Sequence, residues 1–118
     1  MFEIIFYKDS NGKQPVKEYI LSLKSKQDKS SKVKLNKIEQ YLQILSTYGT
    51  MAGLPYLRKI EGKIWELRPL SDRIFFFYWT DNIFVLLHCF VKKTQKTPKR
   101  EIEQAKNNMK DFIEMEGK

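Results

Sequence analysis

The chain has 118 residues, a globular composition with 42% hydrophobic and 14% aromatic residues, and a net charge of +8 with pI ≈ 9.5. That length fits one domain with a real core, and the sign of the charge favours polyanions such as RNA, DNA, the ribosome or an acidic membrane surface. The single Cys89 excludes an internal disulfide and a thiolate-built zinc site, and its lack of a partner suits a reducing, cytoplasmic setting.

Phe2–Tyr7 reads as a first strand, closed by the turn cluster Asp9-Ser10-Asn11-Gly12. The charged residues Glu3, Lys8 and Asp9 leave no signal-peptide core at this end. Pro15 suits the first turn of a helix. Val16, Tyr19, Ile20 and Leu23 follow at helical spacing, so a helix is expected to about Ser25. The polar stretch Lys24–Lys32 reads as a helix–helix connection. A second helix is expected from about Ser31 to Tyr48, with Leu35, Ile38, Leu42 and Leu45 as its apolar stripe and Gly49 beyond its end.

Tyr56–Ile60 is either a strand or an extended lead-in. Three strands follow: Lys63–Arg68, Arg73–Trp79 and Ile83–Val91, short runs rich in aromatic and β-branched residues. The segments 69–72 and 80–82 between them have turn chemistry. Ile83–Val91 is too short to cross a bilayer. The basic loop Lys92–Arg100 leads to Thr97-Pro98, read as a helix N-cap with proline at N1. Ile102, Ala105, Met109 and Phe112 then mark the buried face of a last helix. The expected fold is α+β, one domain over 1–118 in the order β-α-α-β-β-β-α. Its sheet is largely antiparallel and twisted, with two helices on one face and the C-terminal helix over part of the other.

Alternation places Trp65, Leu67, Ile74 and Phe76 on the face toward the first two helices. The opposite face mixes aromatics with Glu66, Arg68 and Arg73. A plain hairpin at 69–72 sets Arg68 opposite Arg73. Like charges there repel, which a fold accepts readily when an anion such as a phosphate lies between them. With a two- or four-residue loop at 80–82, Phe84, Leu86, His88 and Phe90 join this mixed face; a three-residue loop flips them. The expectation is a basic pocket with an aromatic floor, chemistry suited to single-stranded RNA. The candidates are Arg68, Arg73, Lys93, His88 and Glu66 for catalysis, and Arg58, Lys59, Lys92, Lys96 and Lys99 for phosphate binding; the competing readings are Glu66 as the charge that compensates Arg68 and His88 as a buried, hydrogen-bonded sheet histidine. Motifs for nucleotide cofactors or metals are absent from the sequence, so no cofactor or metal is expected.

Four pieces occur together: Trp65-Glu66-Leu67-Arg68, the Arg-Ile-Phe of Arg73–Phe75, the Leu-His-x-Phe-x-Lys-Lys-x-x-Lys-Thr-Pro of Leu87–Pro98, and the Glu-Ile-x-x-Ala of Glu101–Ala105. In this combination the chain resembles the HigB-type toxins, the phage-derived branch of the RelE/ParE superfamily. The resemblance implies a RelE-like fold and a ribosome-dependent mRNA endonuclease that uses the RNA 2′-OH as nucleophile without a metal. It implies a HigA-type helix-turn-helix antitoxin as partner, with operator DNA bound only through that antitoxin. By position, Arg73 matches the family's arginine on the scissile phosphate, Arg68 the basic position on the preceding strand, and Lys92 and Lys93 the basic residues after the last strand. Better-studied RelE members use a tyrosine near the C-terminus, whereas no tyrosine follows Tyr78 here. The acid and base therefore stay open among His88, Glu66 and Lys93. The alternative reading is a ParE-like inhibitor that acts by binding a protein such as DNA gyrase.

Overall fold

The computed structural model describes residues 1–117. Its elements are β1 (Glu3–Phe6), α1 (Pro15–Ser25), α2 (Lys29–Tyr48), a 3-10 turn (Gly49–Ala52), β2 (Leu57–Glu61), β3 (Ile64–Leu67), β4 (Asp72–Tyr78), β5 (Ile83–Val91) and α3 (Lys99–Glu116). The class is α+β as expected. Leu57–Glu61 pairs with β3, so four strands rather than three lie between α2 and α3. The sheet order is β1-β5-β4-β3-β2. β1 runs parallel to β5, and the other pairs are antiparallel.

Local chemistry sets the helix bounds. Pro15 opens α1, which buries Val16, Ile20 and Leu23. α2 begins earlier than the apolar stripe suggests because Asp28 caps it, its carboxylate accepting from Ser31 N–H at 3.0 Å. Gly49 ends α2 at φ 61, and a Cβ there would stand 2.7 Å from the Phe2 ring. The positive φ favours glycine, and any side chain there would have to displace the Phe2 ring. Thr97 is not the cap of α3. Pro98 holds the N-cap position without a side-chain hydrogen bond, and the Thr97 hydroxyl turns toward Glu66 instead.

Two apolar layers sandwich the sheet. Leu67, Ile74 and Phe76 pack with Val16, Ile20, Ile38 and Leu45 under α1 and α2. Phe75, Phe77, Val85 and Leu87 pack with Ala105 and Phe112 of α3. The faces of β3 and β4 are those read from alternation. β5 uses both. Trp79 N–H donates to Ile83 O across the three residues Thr80–Asn82, so Phe84 pairs with Tyr78 and Phe84 and Leu86 turn to the α1–α2 side. A bulge at Leu87 then restores the other phase, and His88 and Phe90 lie on the α3 side opposite Phe75 and Arg73.

Candidate functional site

The hairpin β3–β4 builds the site. Leu67 pairs with Ile74, so one step further Arg68 lies opposite Arg73. The anion that relieves their repulsion belongs to the protein. Glu66 is fully buried, and its carboxylate accepts from Arg58 Nε at 3.1 Å. Arg68 Nε lies 3.7 Å and Arg73 Nε 3.9 Å from the same group. Thr97 Oγ1 adds a hydrogen bond of 3.3 Å from the loop after β5. Register explains the gathering, because Arg58 pairs with Glu66 across β2–β3.

Arg73 is the most confined of the three arginines. Its Nη1 donates to the carbonyls of Leu70 (2.7 Å) and Asp72 (2.9 Å), which fixes the plane of the guanidinium. The buried Nε atoms of Arg68 and Arg73 have no hydrogen-bond partner among the described residues. Burial lowers the Arg73 pKa from its ordinary value, with Arg68 and Arg58 adding to the effect and Glu66 opposing it. An arginine remains cationic under such a shift. The result is a fixed, poorly neutralised cation.

Arg73 opens onto a broad cleft of about 1000 Å³ lined also by Leu70, Ser71, Lys92, Lys93, Thr94 and Gln95. The Lys92 N–H donates to Ser71 O, tying the end of β5 to the β3–β4 turn and bringing both lysines beside the arginine. Around the corner, Gln95 also borders a recess of about 340 Å³ that holds Arg58, Lys59, Lys96 and Thr97. On the other side of Arg73, a recess of about 460 Å³ is lined by Arg68, Leu70, Tyr41, Leu54 and Pro55. Lys99 is exposed on the first turn of α3 and lines none of these openings.

Three sequence expectations need correction. His88 does not join the arginine cleft. Its Nε2 lies 2.6 Å from Glu101 Oε1 and its ring stacks on Phe75 and Phe90, so it fastens α3 to β5 and borders a separate cavity with Tyr7 and Asn108. Glu66 is fully buried and lines none of the clefts, and its carboxylate compensates Arg68, the second of its two readings, together with Arg58 and Arg73. Among the described residues the expected aromatic floor is not open to the cleft, because α3 covers the mixed face and leaves Phe75 and Phe77 buried. Cys89 is core, and burial pushes its thiol up to about 12.

Sequence reasoning also missed the anchoring role of Asp72, read as a turn residue or as a partner for one of the arginines. It is fully buried, accepts from the Tyr19 hydroxyl at 2.6 Å and pairs with Lys34 at 3.5 Å. It thereby pins α1 and α2 to the start of β4, next to Arg73. No local pattern announces this, since its partners lie far away in the chain.

The five-stranded, mostly antiparallel sheet with a helical pair on one face and a terminal helix on the other is an α+β architecture consistent with a RelE-like fold. Residues 18–110 match the family described as phage derived protein Gp49-like (DUF891), and the chain belongs to that family, a RelE-type, toxin-like one. No curated protein matches the chain.

Proposed function

We propose that the protein is the toxin of a type II toxin–antitoxin module and acts as a ribosome-dependent, metal-independent mRNA endonuclease of HigB type. The observation that carries this reading is the convergence of Arg73, Lys92 and Lys93 on one open cleft, with Arg68 held beside them by Glu66. Cleavage through the 2′-OH forms the P–O2′ bond and breaks the P–O5′ bond. The 2′ proton leaves to a base, and the departing 5′ oxygen gains one. Negative charge grows on the nonbridging oxygens, and pre-fixed cations stabilise it without reorganising. Arg73 has that character, because two backbone carbonyls hold it in place. Of the acid and base candidates, Lys93 alone lines the cleft and is the proton donor in this scheme. The family membership supports the toxin class, and the HigA-type antitoxin, the ribosome and mRNA are its proposed partners.

The test is induced expression of the intact protein, Arg73→Ala and Arg73→Lys, with mRNA followed by primer extension. The intact protein should produce discrete cuts. Arg73→Ala should lose roughly 2.7–4 kcal/mol of barrier lowering, as a lost oxyanion donor does, and Arg73→Lys should recover only part of it. Growth arrest with intact transcripts would replace this reading with the ParE-like one, inhibition by binding a protein such as DNA gyrase.

A further inference from the structure

The recess on the far side of Arg73 differs in kind from the phosphate cleft. Both share Arg73 and Leu70, so the two openings adjoin. Its walls are the side chains of Leu54, Pro55, Leu70 and Tyr41, with the guanidinium-bearing Arg68 and Arg73 at one end. Leu54 is 66% and Leu70 48% exposed, so apolar surface stays in water directly beside two cations. Leu70 is also held at φ 56, a conformation strained for a side chain of its size. Tyr41 is partly buried and fixed edge-on against Tyr56, with ring centroids 5.2 Å apart. Leu54 and Leu70 stand open to water, and a bound apolar plate gives them a partner.

We propose that this recess is a nucleobase subsite for the RNA strand whose phosphate lies at Arg73, and that guanine fits it best. Leu54, Leu70 and Tyr41 offer a sandwich for a flat ring, and base–aromatic stacking tolerates any base. Selection comes from the charged end. Arg73 is committed to the phosphate and to the Leu70 and Asp72 carbonyls, so Arg68 does the reading: its guanidinium only donates, and guanine presents O6 and N7 as paired acceptors, whereas adenine sets a donor beside its N7. The proposal rests on the RNA reading of the cleft and adds to it a place where base identity is read.

The test titrates purified protein with GMP, AMP, CMP, UMP and inorganic phosphate, following the Leu54 and Leu70 methyl resonances and the Tyr41 ring. GMP should bind at least about tenfold tighter than phosphate and roughly tenfold tighter than AMP, and should move all three side chains. Leu54→Gln, at an exposed position that leaves the fold intact, should erase the difference between GMP and phosphate. Tyr41→Phe should retain it. Equal affinities for GMP and phosphate, or shifts confined to Lys93 and Arg73, overturn the subsite while leaving an RNA-cleaving cleft in place. Selective GMP binding at Leu54 with transcripts left intact in cells keeps the subsite and removes the nuclease.

Discussion

Glu66 decides whether the arginine cluster can exist. A carboxylate without exposure is costly to bury alone, and the guanidiniums of Arg58, Arg68 and Arg73 repel one another without it. The two costs offset only while both sides are present. Removing the shared partner of such an array leaves uncompensated charge, so Glu66→Gln should destabilise the fold by about 3–5 kcal/mol. Arg58 is the outer member, with 41% of its side chain exposed, so Arg58→Ala should cost no more than about 1 kcal/mol. Urea midpoints compare the two, and equal losses would mean that Glu66 is not the hub. Added phosphate should also stabilise Glu66→Gln more than the parent, because arginines that have lost their buried counter-charge bind an anion in the adjoining cleft more tightly. Much of this site was legible in the sequence, since a four-residue turn between two arginines fixes their opposition. Glu66 beside Arg68 was legible too, but its hold on Arg58 and Thr97 was not, because that depends on the β2–β3 register and on a threonine 31 residues away.

Two of the three helices are fastened to the sheet layer through a tyrosine hydroxyl and a carboxylate. Tyr19 of α1 donates to Asp72 of β4 at 2.6 Å, and Tyr7 after β1 donates to Asp111 of α3 at 2.5 Å. Burial raises both phenol pKa values above the ordinary value, and the adjacent carboxylates push the same way; Lys34 opposes the shift at Tyr19. A group whose folded pKa is raised stabilises fully below its unfolded pKa and loses that contribution as pH climbs through the folded value. Stability should therefore hold up to about pH 10 and fall steeply above it. Tyr19→Phe should remove part of that slope and cost about 1.5–3 kcal/mol at neutral pH, since it strips a hydrogen bond from a buried carboxylate. Denaturation curves between pH 8 and 12 measure both effects, and an unchanged alkaline slope in Tyr19→Phe would show that its phenol is not the titrating clamp. These long-range pairs could not be read from local pattern. The elements themselves could, because runs such as Phe75–Phe77 and Ile83–Val91 are too apolar and too short for any other reading. The face of β5 changed sides because a three-residue turn and a bulge each shift its phase by one.

Over the whole molecule, an excess of +8 could attract RNA in two ways that differ in their salt dependence. A diffuse field speeds encounter and is screened beyond about 8 Å at physiological ionic strength. Fixed cations in contact with phosphates release condensed counterions, and the binding constant then falls linearly on logarithmic axes by about 0.7 per phosphate for a single strand. The clefts along the β3–β4 turn and the following loop hold Arg73, Lys92 and Lys93, with Lys59 and Lys96 around the corner. Three to five phosphate contacts correspond to a slope between about −2 and −3.5 for a short single-stranded RNA. Lys93→Ala should flatten that slope by roughly 0.7. Lys24→Ala, which removes an exposed charge from the last turn of α1, should slow association at low salt and leave the slope unchanged. Fluorescence anisotropy over a range of salt concentrations separates the two. Equal effects from both lysines would mean that the basic surface attracts RNA as a cloud, and that the clefts beside Arg73 hold no strand in register.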